Sequence, residues 1–363
     1  MILADLGAEV IKIEPPGRGD DARHFGPLVN GESAYFRLLN RNKLSVTLDL
    51  KDPTDRERFV GLVERADVLV ENFRPGTLDR LGLAVPRLLH HNPRLVAVSI
   101  SGFGQTGSLA NRPAYDILVQ AMSGLMAATG PEGGGPTRSA VSLGDLVPGL
   151  YAVIAILAAL RWRTLTGRGQ WVDLAMLDAL LSILESVGMR ALHTDEPIVP
   201  LGNDHAVSAP YGTYACADGE IVIAVANEPL FARLAAALGH PEWTADPRFA
   251  RDDLRARHRH ALRQEMEAVL ATMSTEEALG LLVNAGIPAG PVLGVRQALA
   301  GPAAQERGMV ATEEDGFRTL GTPLRLAGVP AGLRPAPALG AHNDRLADWL
   351  AEPPRTALQG EPG

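Results

Sequence analysis

One carboxylate in this chain is placed where it could do covalent chemistry. Asp145 follows Gly144 in SLGDLVPGL and opens the most apolar stretch of the sequence. Aspartate is a preferred helix cap, so a structural role accounts for it. A carboxylate held ionised by helix-terminal amides can also act as a nucleophile, and a glycine beside it leaves room for a substrate. Spacing leaves both readings open. Two further clusters could receive an anionic ligand. In ENFRPG (71–76), Phe73 offers an aromatic face, with Arg74 and then Arg80 available for phosphates. In NRPAYD (111–116), Arg112, Tyr115 and Asp116 precede a helical segment. Each cluster also reads as an ordinary strand end and turn. With Lys43 and Lys51 they suggest a local cationic rim on an acidic protein.

Other chemistries lack their residues. No GxxxxGK[ST] occurs and no GxGxxG follows a first strand, so NTPase and dinucleotide readings lose their main support. GPEGGGP (130–136) is glycine-rich but sits between helices with two prolines, which suits a surface loop. There is no GxSxG and no HExxH, and the expectation for metals is none. Cys216 is the single cysteine, so neither a disulfide nor a cysteine zinc site can form within the chain, and a reducing cytoplasm is its expected home. A formal charge of −8 over 363 residues argues against a general nucleic-acid binder. MILADLGAEVIKIEPP carries Asp5 and Glu9 where a signal peptide would be apolar. The uncharged run Leu146–Leu160 is too short to span a bilayer and reads as a buried helix, so no membrane role is expected.

The elements that must position these residues alternate. Met1–Leu6 resembles the end of an amphipathic helix and Ala8–Ile13 a buried strand. Leu44–Leu50, Asp67–Glu71, Arg94–Ile100 and Gln170–Leu174 read as further strands. Helices are expected from Asp52 to about Arg65 and over Pro113–Thr129, Leu146–Thr164 and Met176–Leu192. Strands alternating with helices imply an α/β fold with a mostly parallel sheet, whose sites lie at the carboxyl ends of the strands. A polar connector from His193 to Pro210 leads to a hairpin over Tyr211–Asn227, more helices and a strand-like 288–294. This middle block reads as a smaller α+β domain. The resulting division is 1–195 as a large domain, 211–310 as the small one, and 320–363 as a return to the large one. The Pro-, Ala- and Gly-rich tail from 334 is expected to wrap over another surface.

Ten segments in order give the chain a family likeness. They include LADLGAEVIKIEPPGRGD (3–20), NRNKLSVTLDLK (40–51), ADVLVENFRPG (66–76), RPAYD (112–116), GD (144–145), LTGRGQWVDLAMLDA (165–179) and GIPAGPV (286–292). Together they resemble the class III (CaiB/BaiF) CoA-transferases, the family of formyl-CoA:oxalate and carnitine CoA-transferases. The resemblance implies a Rossmann-like large domain built from both chain ends, a small middle domain and an interlocked homodimer. It implies that Asp145 is the nucleophile, forming a mixed anhydride and then an aspartyl-CoA thioester while CoA moves from an acyl-CoA donor to a carboxylic acid. Coenzyme A then enters as substrate, with no covalently bound cofactor. The family's CoA contacts fall on Leu48, Asp49, Lys51, Asn72, Phe73, Arg74, Arg80, Arg112, Tyr115 and Asp116.

Three departures bear on function. Family members begin with a strand and a segment ending in Ala-Gly-Pro, and the expectation is that this chain starts after it. LGNDHAVSAPYG (201–212) replaces the glycine-rich loop of the oxalate enzymes, which speaks against oxalate. Pro15 and Pro16 stand where some members use arginine for CoA. Two alternatives remain. An α-methylacyl-CoA racemase would share the aspartate, but racemases resemble Gly-His-Asp where this chain has Ala114-Tyr115-Asp116, so one of two proton-transfer bases is missing. A non-catalytic CoA-binding protein would follow from an incomplete first unit.

Overall fold

The computed structural model describes residues 1–328 and 332–354, in two compact units. The last part of the 320–363 return, residues 355–363, lies outside the described residues.

The first unit comprises residues 1–124, 140–185 and 299 onward. Five parallel strands organise it. β1 (Val10–Glu14) pairs with β2 (Lys43–Thr47), from Val10 opposite Lys43 to Glu14 opposite Thr47. β3 (Val68–Glu71), β4 (Val96–Ser101) and β5 (Gln170–Ala175) form a second sheet in that order. The fold is mixed α/β with parallel strands, carried as a two-stranded and a three-stranded sheet. β4 lies between two neighbours and is buried on both faces, so its run VAVSIS is nearly continuously apolar, as a central parallel strand requires. One core gathers Val46, Phe59, Leu88, Ala97 and Trp349. The other packs Val96 and Val98 against Ala152, Ile156 and Ala159.

Local rules account for the helices around this sheet. α1 (Ala34–Asn40) starts where Ser33 Oγ accepts from Phe36 N–H at 3.0 Å. In the helix Pro53–Val63, Asp52 accepts from Thr54 and Asp55 N–H, with proline in the first turn. α2 covers Asp116–Met122 and α3 covers Leu143–Thr166, which closes on Gly167 at φ +71°. Both start at different residues from the sequence expectation, α2 three residues later and α3 three earlier. The expected Met176–Leu192 helix is two helices, Met176–Ser182 and Glu185–His193, because Glu185 takes a left-handed backbone at φ +46° that breaks the run.

At 24 residues, α3 is by length and composition long and apolar enough to cross a membrane, unlike the fifteen-residue run expected from sequence. Its small residues Ala152 and Ala159 and its Ile156 pack on the parallel sheet. Near its end Arg163 donates to Asp67 Oδ1 at 2.9 Å.

The C-terminal segment is tied into the first unit. Arg37 binds Glu313 and Asp315, Asn42 N–H donates to Arg334 O at 3.1 Å, and His342 N–H donates to Ser45 O at 3.0 Å.

The second unit comprises residues 125–139 and 186–298, so it begins before 211 and ends before 310. β6 (Tyr211–Ala215), β7 (Glu220–Ala224) and β8 (Ala289–Pro291) form an antiparallel sheet in the order β8-β7-β6. Ile221 and Ile223 face its core beside Phe231, Leu262, Met266 and Leu282, while Glu220 and Val222 face out.

Arg41 is fully buried, meets the almost fully buried Asp5 side chain at 2.7 Å and also donates to Leu320 O. Removing one partner strands the other charge in the interior. Arg41→Met is expected to lower stability by about 3–5 kcal/mol in urea unfolding.

Candidate active site

Asp145 is the third residue of α3, after the N-cap Ser142. Its side chain is exposed, contrary to the buried helix start expected from sequence. The amide behind it is not exposed. Gly144 is buried, and its N–H donates to Asp116 Oδ1 at 2.8 Å. The same oxygen accepts from Gln120 Nε2, also at 2.8 Å. A Cβ on Gly144 would stand 2.6 Å from Val119 Cγ2 and 3.1 Å from the Asp116 backbone, so the starts of α2 and α3 touch main chain to main chain. Pro148 lies inside α3 and has no N–H to give the Gly144 carbonyl.

Asp116 therefore differs from its sequence reading as a ligand contact. It is 8% exposed, and its carboxylate turns inward onto the first turn of α3. Tyr115, next to it, is 78% exposed.

Tyr35 went unremarked in the sequence because no motif marks SAYFRLL. It lies at the start of α1, close enough to Asp145 that this carboxylate acts on its phenol. Burial first, then the Asp145 and Asp20 charges, push the Tyr35 phenol upward.

The loop after β1 is held by ion pairs. Lys12 Nζ meets Asp20 at 2.5 Å, Arg23 meets Glu14 at 2.7 Å, and Ser45 Oγ donates to Glu14 Oε1 at 2.6 Å. Burial alone would raise the Glu14 carboxyl. Its bonds from Arg23, Ser45 and the Asp20 amide outweigh that and bring it below its usual range. Lys43 is not the rim cation expected. Its ammonium donates to Asn40 Oδ1 at 2.9 Å, and burial, with Lys12 nearby, lowers its pKa to about 8.

The remaining predicted contacts follow the carboxyl ends of strands. Leu48, just past β2, is part of the core, and its N–H donates to Glu14 O at 3.0 Å. Asp49 and Lys51 are exposed, with Asp49 Oδ1 accepting from Lys51 N–H at 2.9 Å. Asn72, Phe73 and Arg74 follow β3 and are exposed, as are Arg80 and Arg112. Arg80 donates to Thr77 Oγ1 at 2.9 Å. Beside the β3 loop a small open cleft is lined by Glu71, Arg74, Ser99, Gln105 and Trp171. Burial raises the Glu71 carboxyl. Sequence reading singled out neither Glu71 nor Trp171, since each sits in a run that reads as strand. Among the described residues no group of three or more His, Cys, Asp or Glu side chains could hold a metal ion.

A parallel-stranded α/β unit with an exposed aspartate at a helix start and cationic loops at its strand ends has known counterparts. Residues 1–343 match CoA-transferase family III, and the chain belongs to that family; it is a CoA-transferase. It is 43% identical to the acetyl-CoA:oxalate CoA-transferase of Acetobacter aceti, over 90% of this chain and 84% of that one. It is 38% identical to the succinate–glutarate CoA-transferase of Agrobacterium fabrum, over 98% and 92%. The crystal structure of a CAIB/BAIF family protein from Brucella suis superposes with a TM-score of 0.82 at 38% identity, covering 96% of this chain and 93% of its own.

The depressed Glu14 carboxyl has a consequence for acid stability. A group whose folded pKa lies below its unfolded value stabilises the fold above the unfolded value and loses that contribution as pH falls through the folded one. The urea midpoint is expected to drop as pH is lowered below about 4.5, the usual value for Glu, and Glu14→Gln to flatten that drop. An unchanged acid limb in the variant would show that the Glu14–Arg23 pair adds nothing.

Proposed function

We propose that this enzyme moves CoA from an acyl-CoA to a short dicarboxylic acid through covalent intermediates on Asp145. The observation that carries the reading is the exposed Asp145 carboxylate in the first turn of α3. The positive end of that helix favours its ionised form. The Asp145 oxygen attacks the thioester carbonyl, the C–S bond breaks and the CoA thiolate leaves, giving a mixed anhydride. The thiolate attacks the Asp145 carbonyl carbon and expels the donor acid as a carboxylate, leaving an aspartyl-CoA thioester. The acceptor carboxylate attacks that thioester and releases the thiolate, which then takes the new acyl group. Asp145 returns as a carboxylate, with no net oxidation or proton change. Covalent catalysis of this kind splits one difficult exchange into easier steps.

Exposed Asn72, Phe73, Arg74 and Arg80 after β3, with Arg112 and Tyr115, would receive the phosphates and base of CoA. Relatives named for oxalate, glutarate, citramalate and mesaconate support a dicarboxylate as the acid. The working form is proposed to be a homodimer in the cytoplasm. Leu146, Leu150, Ile154 and Leu157 form an exposed apolar stripe along α3 that a second copy would cover.

Incubation with an acyl-CoA followed by hydroxylamine is expected to leave a hydroxamate on the peptide containing Asp145, seen by mass spectrometry. Asp145→Asn should abolish the adduct and lower kcat by at least about 10⁴-fold. A folded, active wild type that gives no adduct would sink the covalent route. A screen of oxalate, succinate, glutarate and mesaconate as acceptors is expected to single out one chain length.

A further inference from the structure

We propose that Asp116 is a positioning residue that aims the nucleophile, a role that rests on Asp145 being that nucleophile. A helix start normally holds its first turn through capping and through bonds to the next turn. Here the Ser142 carbonyl accepts from the Asp145 and Leu146 amides, at 3.0 and 2.9 Å, and the Gly144 amide and carbonyl are left to other partners. Ser142 makes no side-chain cap bond, and Pro148 cannot donate to the Gly144 carbonyl. The peptide leading into Asp145 is held from outside the helix, by Asp116 Oδ1 on the Gly144 amide. Gln120, fully buried one turn along α2, donates to the same oxygen and fixes the carboxylate's direction.

The anchor has its own support. A Cβ on Gly102, just past the end of β4, would stand 2.1 Å from Ala114 Cβ, so the 112–116 segment lies hard against the strand end. Leu177 N–H donates to Gly102 O at 3.1 Å and ties in the chain after β5. Position therefore passes from the rigid sheet to Ala114, to Asp116, to the Gly144 amide and so to Asp145. Tyr115 and Asp116 point apart: the ring is exposed to solvent, and the buried carboxylate faces the protein.

Anchoring and ligand binding move different constants. Asp116→Ala is expected to lower kcat by about 100-fold, the scale of a misplacement near 1 Å, with KM for the thioester within about 2-fold. Asp116→Asn keeps an oxygen acceptor for the Gly144 amide and should recover at least about tenfold of that loss. Tyr115→Ala should do the reverse, raising KM. Gly144→Ala breaks the same contact from the other side, so it should lower kcat while adding little when combined with Asp116→Ala. Amide hydrogen exchange over residues 143–146 should quicken in Asp116→Ala while the melting temperature holds.

A raised KM with intact kcat in Asp116→Ala would make the residue a ligand contact and overturn the proposal. So would equal losses in the Ala and Asn variants, or a loss fully accounted for by unfolded protein. Unchanged exchange at 143–146 would overturn the anchor alone. A wild type active without an Asp145 adduct would instead overturn the covalent reading, and with it the purpose given to the anchor.

Discussion

Close approach of backbone to backbone around β4 is the constraint on which the first unit depends. A Cβ on Gly169 would sit 1.9 Å from Leu95 O, and one on Gly102 2.1 Å from Ala114 Cβ. The first glycine lets the strand that begins at Gln170 enter beside β4, and the second lets the 112–116 loop close over its end. Neither contact has space to relax, because a main-chain carbonyl and a methyl fixed directly to the main chain cannot move aside as a flexible side chain can. Everything that follows the carboxyl ends of these strands inherits its position from them.

Around that frame the interior is polar as well as apolar. Arg41 with Asp5, Arg37 with Glu313 and Arg23 with Glu14 pair charges that are mostly or wholly buried. Two of the three pairs reach far along the chain, and Arg41 also reaches Leu320 O, so the C-terminal return is pinned by groups that tolerate little displacement. Such pairs add less stability than their closeness suggests, since desolvation offsets much of the attraction. What they supply is geometry: a charge inside the protein fits beside one partner and nowhere else. The Glu14 cluster applies this to the loop after β1, whose Asp20 acts on the same Tyr35 phenol as Asp145.

Legibility followed the length scale of each signal. Helix starts with a cap and proline, such as Asp52-Pro53, were readable because the rule is local. The parallel strands were readable from apolar runs, and the Tyr211–Ala224 hairpin from its turn residues. Asp145 was found as a residue but misjudged in setting, because a helix start looks buried from an apolar sequence whether or not its first turn faces solvent. Asp116 is placed among the CoA contacts by the family resemblance, which fixes a position in the chain and not the direction of a side chain. In NRPAYD the alternation of outward Tyr115 and inward Asp116 depends on where α2 begins, and a one-residue error exchanges their faces. Tyr35, Glu71 and Trp171 owe their placement to contacts far along the chain, which no short window contains.

A carboxylate nucleophile faces a physical conflict. It must be ionised to attack, yet the amides and dipole that keep it ionised also lower its reactivity. A buried aspartate at a fully capped helix start would be well stabilised and correspondingly inert. The turn around Asp145 carries one such diversion. The Gly144 amide, one of the donors a helix start offers, is taken by Asp116, and the Asp145 side chain is left at the surface. Pro148, one turn on, gives no amide to the helical ladder at this point. A glycine without a side chain, a proline without an amide and a second aspartate that takes the Gly144 donor thus shape the turn that presents Asp145.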